Sequence, residues 1–154
     1  MDRVFIIGRD QVPQFVRLES GEKLRWTLVF CPSLFLDGRS ACCSGAASPL
    51  IPAATLQQAD GCGERKVTIE VDLCGPGAGA DIAGLYLCPD SERLELNVLV
   101  RHVSGGCVSR QLFKGIAGGR SRTGFYGLIY VAKDAQQTKA YQENHNLQLS
   151  EEAR

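Results

Sequence analysis

The sequence predicts an all-β chain. Six short runs after Glu64 read as strands: Lys66 to Leu73, Ala80 to Leu87, Leu94 to His102, Val108 to Ile116, Gly124 to Val131 and Ala140 to Leu149. They carry the two-residue spacing of strands and no helical period. Between them lie CGPGAG, CPDSER, SGG, AGGRSR and AKDAQQTK, all turn chemistry. The runs begin about every twelve to sixteen residues, a rhythm shared by sandwiches, barrels and β-solenoids.

Taken in order, residues 1–31 offer two strands, around Val4 to Ile7 and Leu24 to Phe30, with Glu19-Ser20-Gly21-Glu22 as the turn before the second. Leu24, Trp26, Leu28 and Phe30 share one parity and Arg25, Thr27 and Val29 the other, so the strand is half-buried and Trp26 belongs to the core. Residues 32–63 shift to Ala, Ser, Gly, Pro and Cys, a composition with little from which to build a core, and read as a long excursion. Cys42 and Cys43 are neighbours there, and no C-x-x-C occurs anywhere, so a structural zinc site has little support. Residues 64–154 form the rhythmic part of what reads as one domain. Near its end, Thr123, Phe125, Gly127, Ile129 and Val131 alternate with Tyr126, Leu128 and Tyr130, which leaves a poorly polar outer face in need of a cover.

At 154 residues the chain is long enough for one ordinary core. Seventeen basic side chains balance seventeen acidic ones, so nothing in the total points to nucleic acid or an anionic membrane. Arg110, Lys114, Arg120 and Arg122 are a local basic cluster, either a solvated face or a site for an anion or acidic partner. Val4-Phe5-Ile6-Ile7 is too short for a signal or membrane segment, and the odd count of seven cysteines fits reduced thiols in the cytoplasm.

Lys114-Gly115, Gly119-Arg120-Ser121, Phe125-Tyr126-Gly127, Ala135 with Thr138, and the run Gln142 through Ser150 follow one another in an order that resembles the signature of the SufB/SufD family, the paired β-helical subunits of the SUF iron–sulfur cluster assembly machine. The likeness is clear from about Lys66 onward, roughly half of the chain. It implies a right-handed parallel β-helix, partial in this chain, whose small turn residues let each coil pass close over the next. It also implies a non-enzymatic scaffold that pairs with a SufB-type subunit and works with a SufC-type ABC ATPase. No cofactor is then held by this chain alone, and an iron–sulfur cluster is carried only transiently by the full complex. In the SufB branch a cysteine tied to cluster assembly occupies the place of Asn144; an amide cannot serve as that iron ligand, so the chain resembles SufD. The Cys-Ser/Thr-His-Gly motif of the SufD branch does not follow before Arg154, so a C-terminally shortened member is expected.

Residues with chemical potential are few. His102 and Cys107 flank a Gly-Gly turn and are candidates for a thiolate pair or cluster contact, against the simpler reading of buried structural groups. Cys74, Cys88 and Cys107 recur at strand ends, where they would stack as a soft iron site or serve as small corner residues. His145 reads as exposed and incidental. An open solenoid end invites pairing, so Phe125, Tyr126, Leu128, Tyr130, Tyr141 and Asn144 are the expected contact residues, with a homodimer when the chain is isolated. The competing readings are a small β-rich binding module using the basic Gly-turns as an anion site, and a cysteine enzyme using Cys107 and His102. The latter lacks an identifiable third orienting group.

Overall fold

The computed structural model describes residues 1–7, 12–30 and 64–154. They form nine strands: β1 (Asp2–Ile7), β2 (Phe15–Leu18), β3 (Lys23–Phe30), β4 (Glu64–Leu73), β5 (Gly79–Cys88), β6 (Arg93–His102), β7 (Val108–Ala117), β8 (Arg122–Val131) and β9 (Lys139–Gln148). Among the described residues there is no helix, hence none long and apolar enough to cross a membrane. Successive strands alternate between two sheets, ordered β1-β3-β5-β7-β9 and β2-β4-β6-β8, and every pairing is parallel. This is a two-sheeted solenoid, as the sequence predicts with its family resemblance. Register partners stand 29 positions apart in the middle coils, as with Glu64 and Arg93, Gly79 and Val108, and Arg93 and Arg122. The expected excursion over 32–63, with Cys42 and Cys43, lies outside the described residues.

Alternation decides which side chains enter the lumen. Leu24, Trp26, Leu28 and Phe30 point inward from β3, Ile69, Val71 and Leu73 from β4, and Leu94, Leu96, Val98 and Val100 from β6, all buried. Each such aliphatic side chain contributes about 2 kcal/mol through removal from water. The strand β2 is absent from the sequence-based reading: with Phe15 and Arg17 exposed, only Val16 and Leu18 mark its inner face.

Coils approach closely at the turns, as expected: a Cβ on Gly75 would lie 1.9 Å from Ser20 N and one on Gly119 2.5 Å from Asp90 O, and strands carry such approaches too. A Cβ on Gly84 would lie 2.2 Å from Phe113 Cδ1, and one on Gly115 would lie 2.1 Å from Tyr86 Cε2. Each of these strand glycines leaves the gap that an aromatic ring of the adjacent coil fills. Other turn glycines meet a conformational requirement. Gly21, Gly77 and Gly106 adopt φ of 72°, 71° and 68° at one corner, and their N–H groups donate to Pro76, Gly105 and Gln136 carbonyls at 3.1, 3.4 and 2.8 Å. Left-handed turns thus stack as regularly as the strands do.

Candidate functional site

The inner line of sheet one turns from apolar to polar toward the C-terminal end. Trp26, Ile82, Gln111 and Gln142 follow one another in register, as do Leu28, Gly84, Phe113 and Asn144, and Phe30, Tyr86, Gly115 and Asn146. Tyr86 passes over the bare Gly115, and its hydroxyl donates to Asn146 Oδ1, with Asn144 Oδ1 at 3.4 Å. Gln142 Nε2 reaches the Gly127 carbonyl at 3.5 Å. Every residue of β9 is exposed, and among the described residues the strand is paired on one side only, with β7. The last coil therefore presents unpaired backbone groups and amide side chains together. The closing run of amide side chains is visible in the sequence, and the i, i+2 spacing of Gln142, Asn144, Asn146 and Gln148 is the signal that sets them on one face.

The expected contact residues divide among three places. Tyr126, Leu128 and Tyr130 stand on the outer face of sheet two, 62%, 60% and 54% exposed. A groove of about 640 Å³ runs beside them, lined by Thr68, Glu70, Asn97, Leu99, Tyr126 and Leu128 among others. Tyr141 lies on the outer face of sheet one, where His145 Nε2 sits 3.5 Å from Glu143 Oε2. Phe125 and Asn144 belong to the inner lines; the Phe125 ring packs 4.8 Å from that of Phe113. Only the terminal edge, where β8 and β9 end the two sheets, touches all three places.

His102 ends β6 fully buried, with Nε2 2.8 Å from Ser109 Oγ and Nδ1 without a protein partner among the described residues. Cys107 is equally buried and its thiol donates to the Gly75 carbonyl at 3.3 Å. The two side chains are thus held by different partners, and the same corner carries Cys74. Cys88 lies at the opposite corner, where its thiol donates to the Glu92 carbonyl at 3.4 Å and burial, with the Glu92 charge, pushes its pKa up to about 11. Stacking of all three cysteines is thereby excluded. Among the described residues no group of three or more His, Cys, Asp and Glu is placed to hold a metal ion.

Burial pushes the His102 imidazole below its ordinary value. Between that depressed value and the unfolded value of about 6.5 the unfolded chain binds more protons than the folded one, so stability rises with pH there and is lost on acidification. The contribution is complete above about 6.5 and falls by up to about 1.4 kcal/mol per pH unit below it. Urea midpoints at pH 7.5 and 5.5 should fall less on acidification for His102→Gln than for the parent. Equal losses would assign the effect to the carboxylates.

The four basic candidates are also divided. Arg110 and Lys114 stand on the outer face of sheet one, Arg122 begins β8 on the outer face of sheet two, and Arg120 occupies the turn before it.

Residues 56–154 match the family described as SUF system FeS cluster assembly, SufBD core domain. An iron–sulfur cluster assembly SufBD family protein of Mycobacterium tuberculosis (strain ATCC 25618 / H37Rv) is 31% identical over 96 residues, covering 58% of this chain and 24% of that protein. One of Mycobacterium leprae (strain TN) is 32% identical over 92 residues, covering 55% of this chain and 24% of that protein. The matched segment thus spans about a quarter of the length of these curated relatives. No solved structure matches.

Proposed function

The chain belongs to the SufBD family of the SUF iron–sulfur cluster assembly system, and from that premise we propose that it acts as a SufD-like, non-enzymatic scaffold in the cytoplasm, pairing through its terminal coil with a SufB-type subunit and working with a SufC-type ATPase. The observation that carries this reading is the β9 edge of sheet one, unpaired among the described residues, together with the exposed Tyr126, Leu128 and Tyr130 on β8, the last strand of sheet two. Unpaired strand edges recruit further strands, and exposed aromatic side chains supply the apolar area that makes such pairing specific. Asn144 supports the SufD-like assignment: its carboxamide lies on the inner line near Tyr86, at the place where the SufB branch carries a thiol. The cluster is cargo of the assembled complex. In the isolated chain the same edge pairs with a second copy.

Co-expression of the tagged 154-residue chain with SufB-type and SufC-type subunits tests the reading. Retention of the SufB-type subunit through size exclusion, lost in Tyr130→Glu, is the expected result. Retention of neither subunit would refute it.

A further inference from the structure

Across both outer faces, charged side chains of neighbouring coils alternate in sign, with one exception. On sheet one, Asp2, Arg25, Asp81 and Arg110 follow in register, with Arg25 3.9 Å from Asp2 and 3.7 Å from Asp81. On sheet two, Lys66 sits 2.6 Å from Glu95, and Arg101 lies 2.5 Å from Asp72 and 3.0 Å from Glu70. The exception is the row at the start of the sheet-two strands. Arg93 pairs in register with Arg122. The Arg154 N–H donates to Ser121 O at 3.0 Å and the Thr123 N–H to Arg154 O at 2.6 Å, which sets Arg154 beside Arg122 as the next step of the same row. All three arginines are exposed, and none makes an ion pair among the described residues. Glu64, in register with Arg93, is the row's acidic end, and Glu151 and Glu152 lie in the turn that leads to Arg154.

Like charges set side by side on a sheet, about 4.8 Å apart, repel one another and cost stability. The neighbouring rows show that this face accommodates a carboxylate at every second step, and this row has one only at its Glu64 end, so the run of adjacent arginines is suited to a ligand that carries the missing negative charge. Guanidinium forks take phosphate oxygens in pairs. An extended acidic segment repeats its carboxylates on one side at about 6.6 Å, out of step with the row, whereas a chain of linked phosphoryl groups offers oxygens at finer spacing. Tyr126 adds a flat surface: its ring folds back over Gly124, where a Cβ would lie 3.1 Å from Cε2, on the strand that carries Arg122.

We propose that Arg93, Arg122 and Arg154 form an oligophosphate-binding ladder, taking a free polyphosphate or the phosphoryl chain of a nucleotide. This site does not rest on the assembly reading, although Arg122 and Tyr126 share β8 with the pairing residues Leu128 and Tyr130.

The test is isothermal titration of the full chain with sodium tripolyphosphate, ATP without magnesium, and hexaglutamate, alongside thermal unfolding. Tripolyphosphate should bind and raise the melting temperature. Arg122→Gln should weaken binding about tenfold, as expected for loss of one charge-assisted contact, and Arg93→Gln with Arg122→Gln should abolish it. Arg110→Gln, in an alternating row, should leave binding unchanged. Without ligand, Arg122→Gln should melt at the same temperature as the parent or higher, since repulsion is relieved. Equal affinity for tripolyphosphate and ATP identifies a polyphosphate site; tighter ATP binding that Tyr126→Leu removes identifies a nucleotide site. No binding of either phosphate at millimolar concentration, hexaglutamate binding as well as tripolyphosphate, or destabilisation by Arg122→Gln alone would overturn the proposal.

Discussion

Gly84→Ala will destabilise the chain by about 3 kcal/mol, at the upper end of what one added methyl costs in a packed core. The new Cβ would meet Phe113 at 2.2 Å from Cδ1 and 2.3 Å from Cε1. That ring has nowhere to go: Phe113 is fully buried and packs against Phe125, with the ring centroids 4.8 Å apart and the planes tilted by 44°. The penalty belongs to the pair, which a double-mutant cycle isolates. Phe113→Ala alone leaves a cavity and costs about 3–5 kcal/mol. Gly84→Ala combined with Phe113→Ala should cost at least about 1 kcal/mol less than the sum of the single changes, because the methyl then occupies part of the cavity. Strict additivity in denaturant unfolding would show that the glycine and the ring do not interlock.

The second large effect concerns association. With pairing at the terminal edge, light scattering at micromolar concentration should give twice the chain mass for the isolated protein. Tyr130→Glu should return it to the mass of one chain. Serine at Tyr126, Leu128 and Tyr130 together should weaken pairing by about a thousandfold or more, since each buried apolar side chain contributes about 2 kcal/mol and every 1.4 kcal/mol is a factor of ten. All three side chains are more than half exposed, so the circular dichroism spectrum should not change. A monomeric parent chain would remove both the pairing and the scaffold role built upon it.

The fold was legible where one face of a strand is apolar. The parity of Leu24, Trp26, Leu28 and Phe30, or of Leu94 through Val100, separates lumen from solvent without knowledge of the neighbouring strand. β2 escaped because four residues with two inward side chains give almost no period. The terminal face was legible in part: Tyr126, Leu128 and Tyr130 share a parity in sequence and a face in space. What could not be read is whatever depends on register. Gly84 with Phe113, Gly115 with Tyr86, and Arg93 with Arg122 are each brought together by the 29-residue offset between coils. Because consecutive strands alternate between the sheets, Arg110 on β7 and Arg122 on β8, near in sequence, lie on different sheets.

The stacked pairing has a dynamic consequence. Within each sheet a strand bonds only to the strands immediately above and below it, so free energy is distributed as a sum of coil terms and junction terms along one axis. Opening then travels as fraying from an end. Amide protons of β9, bonded through a single junction to β7, will exchange soonest, and those of β5 and β6 latest. A partner strand added to β9 gives that outermost coil a second junction. Protection should accordingly rise first in β9, next in β7, and hardly at all in β3, so that docking registers along the stack as a graded stiffening whose depth measures how far the signal of assembly penetrates.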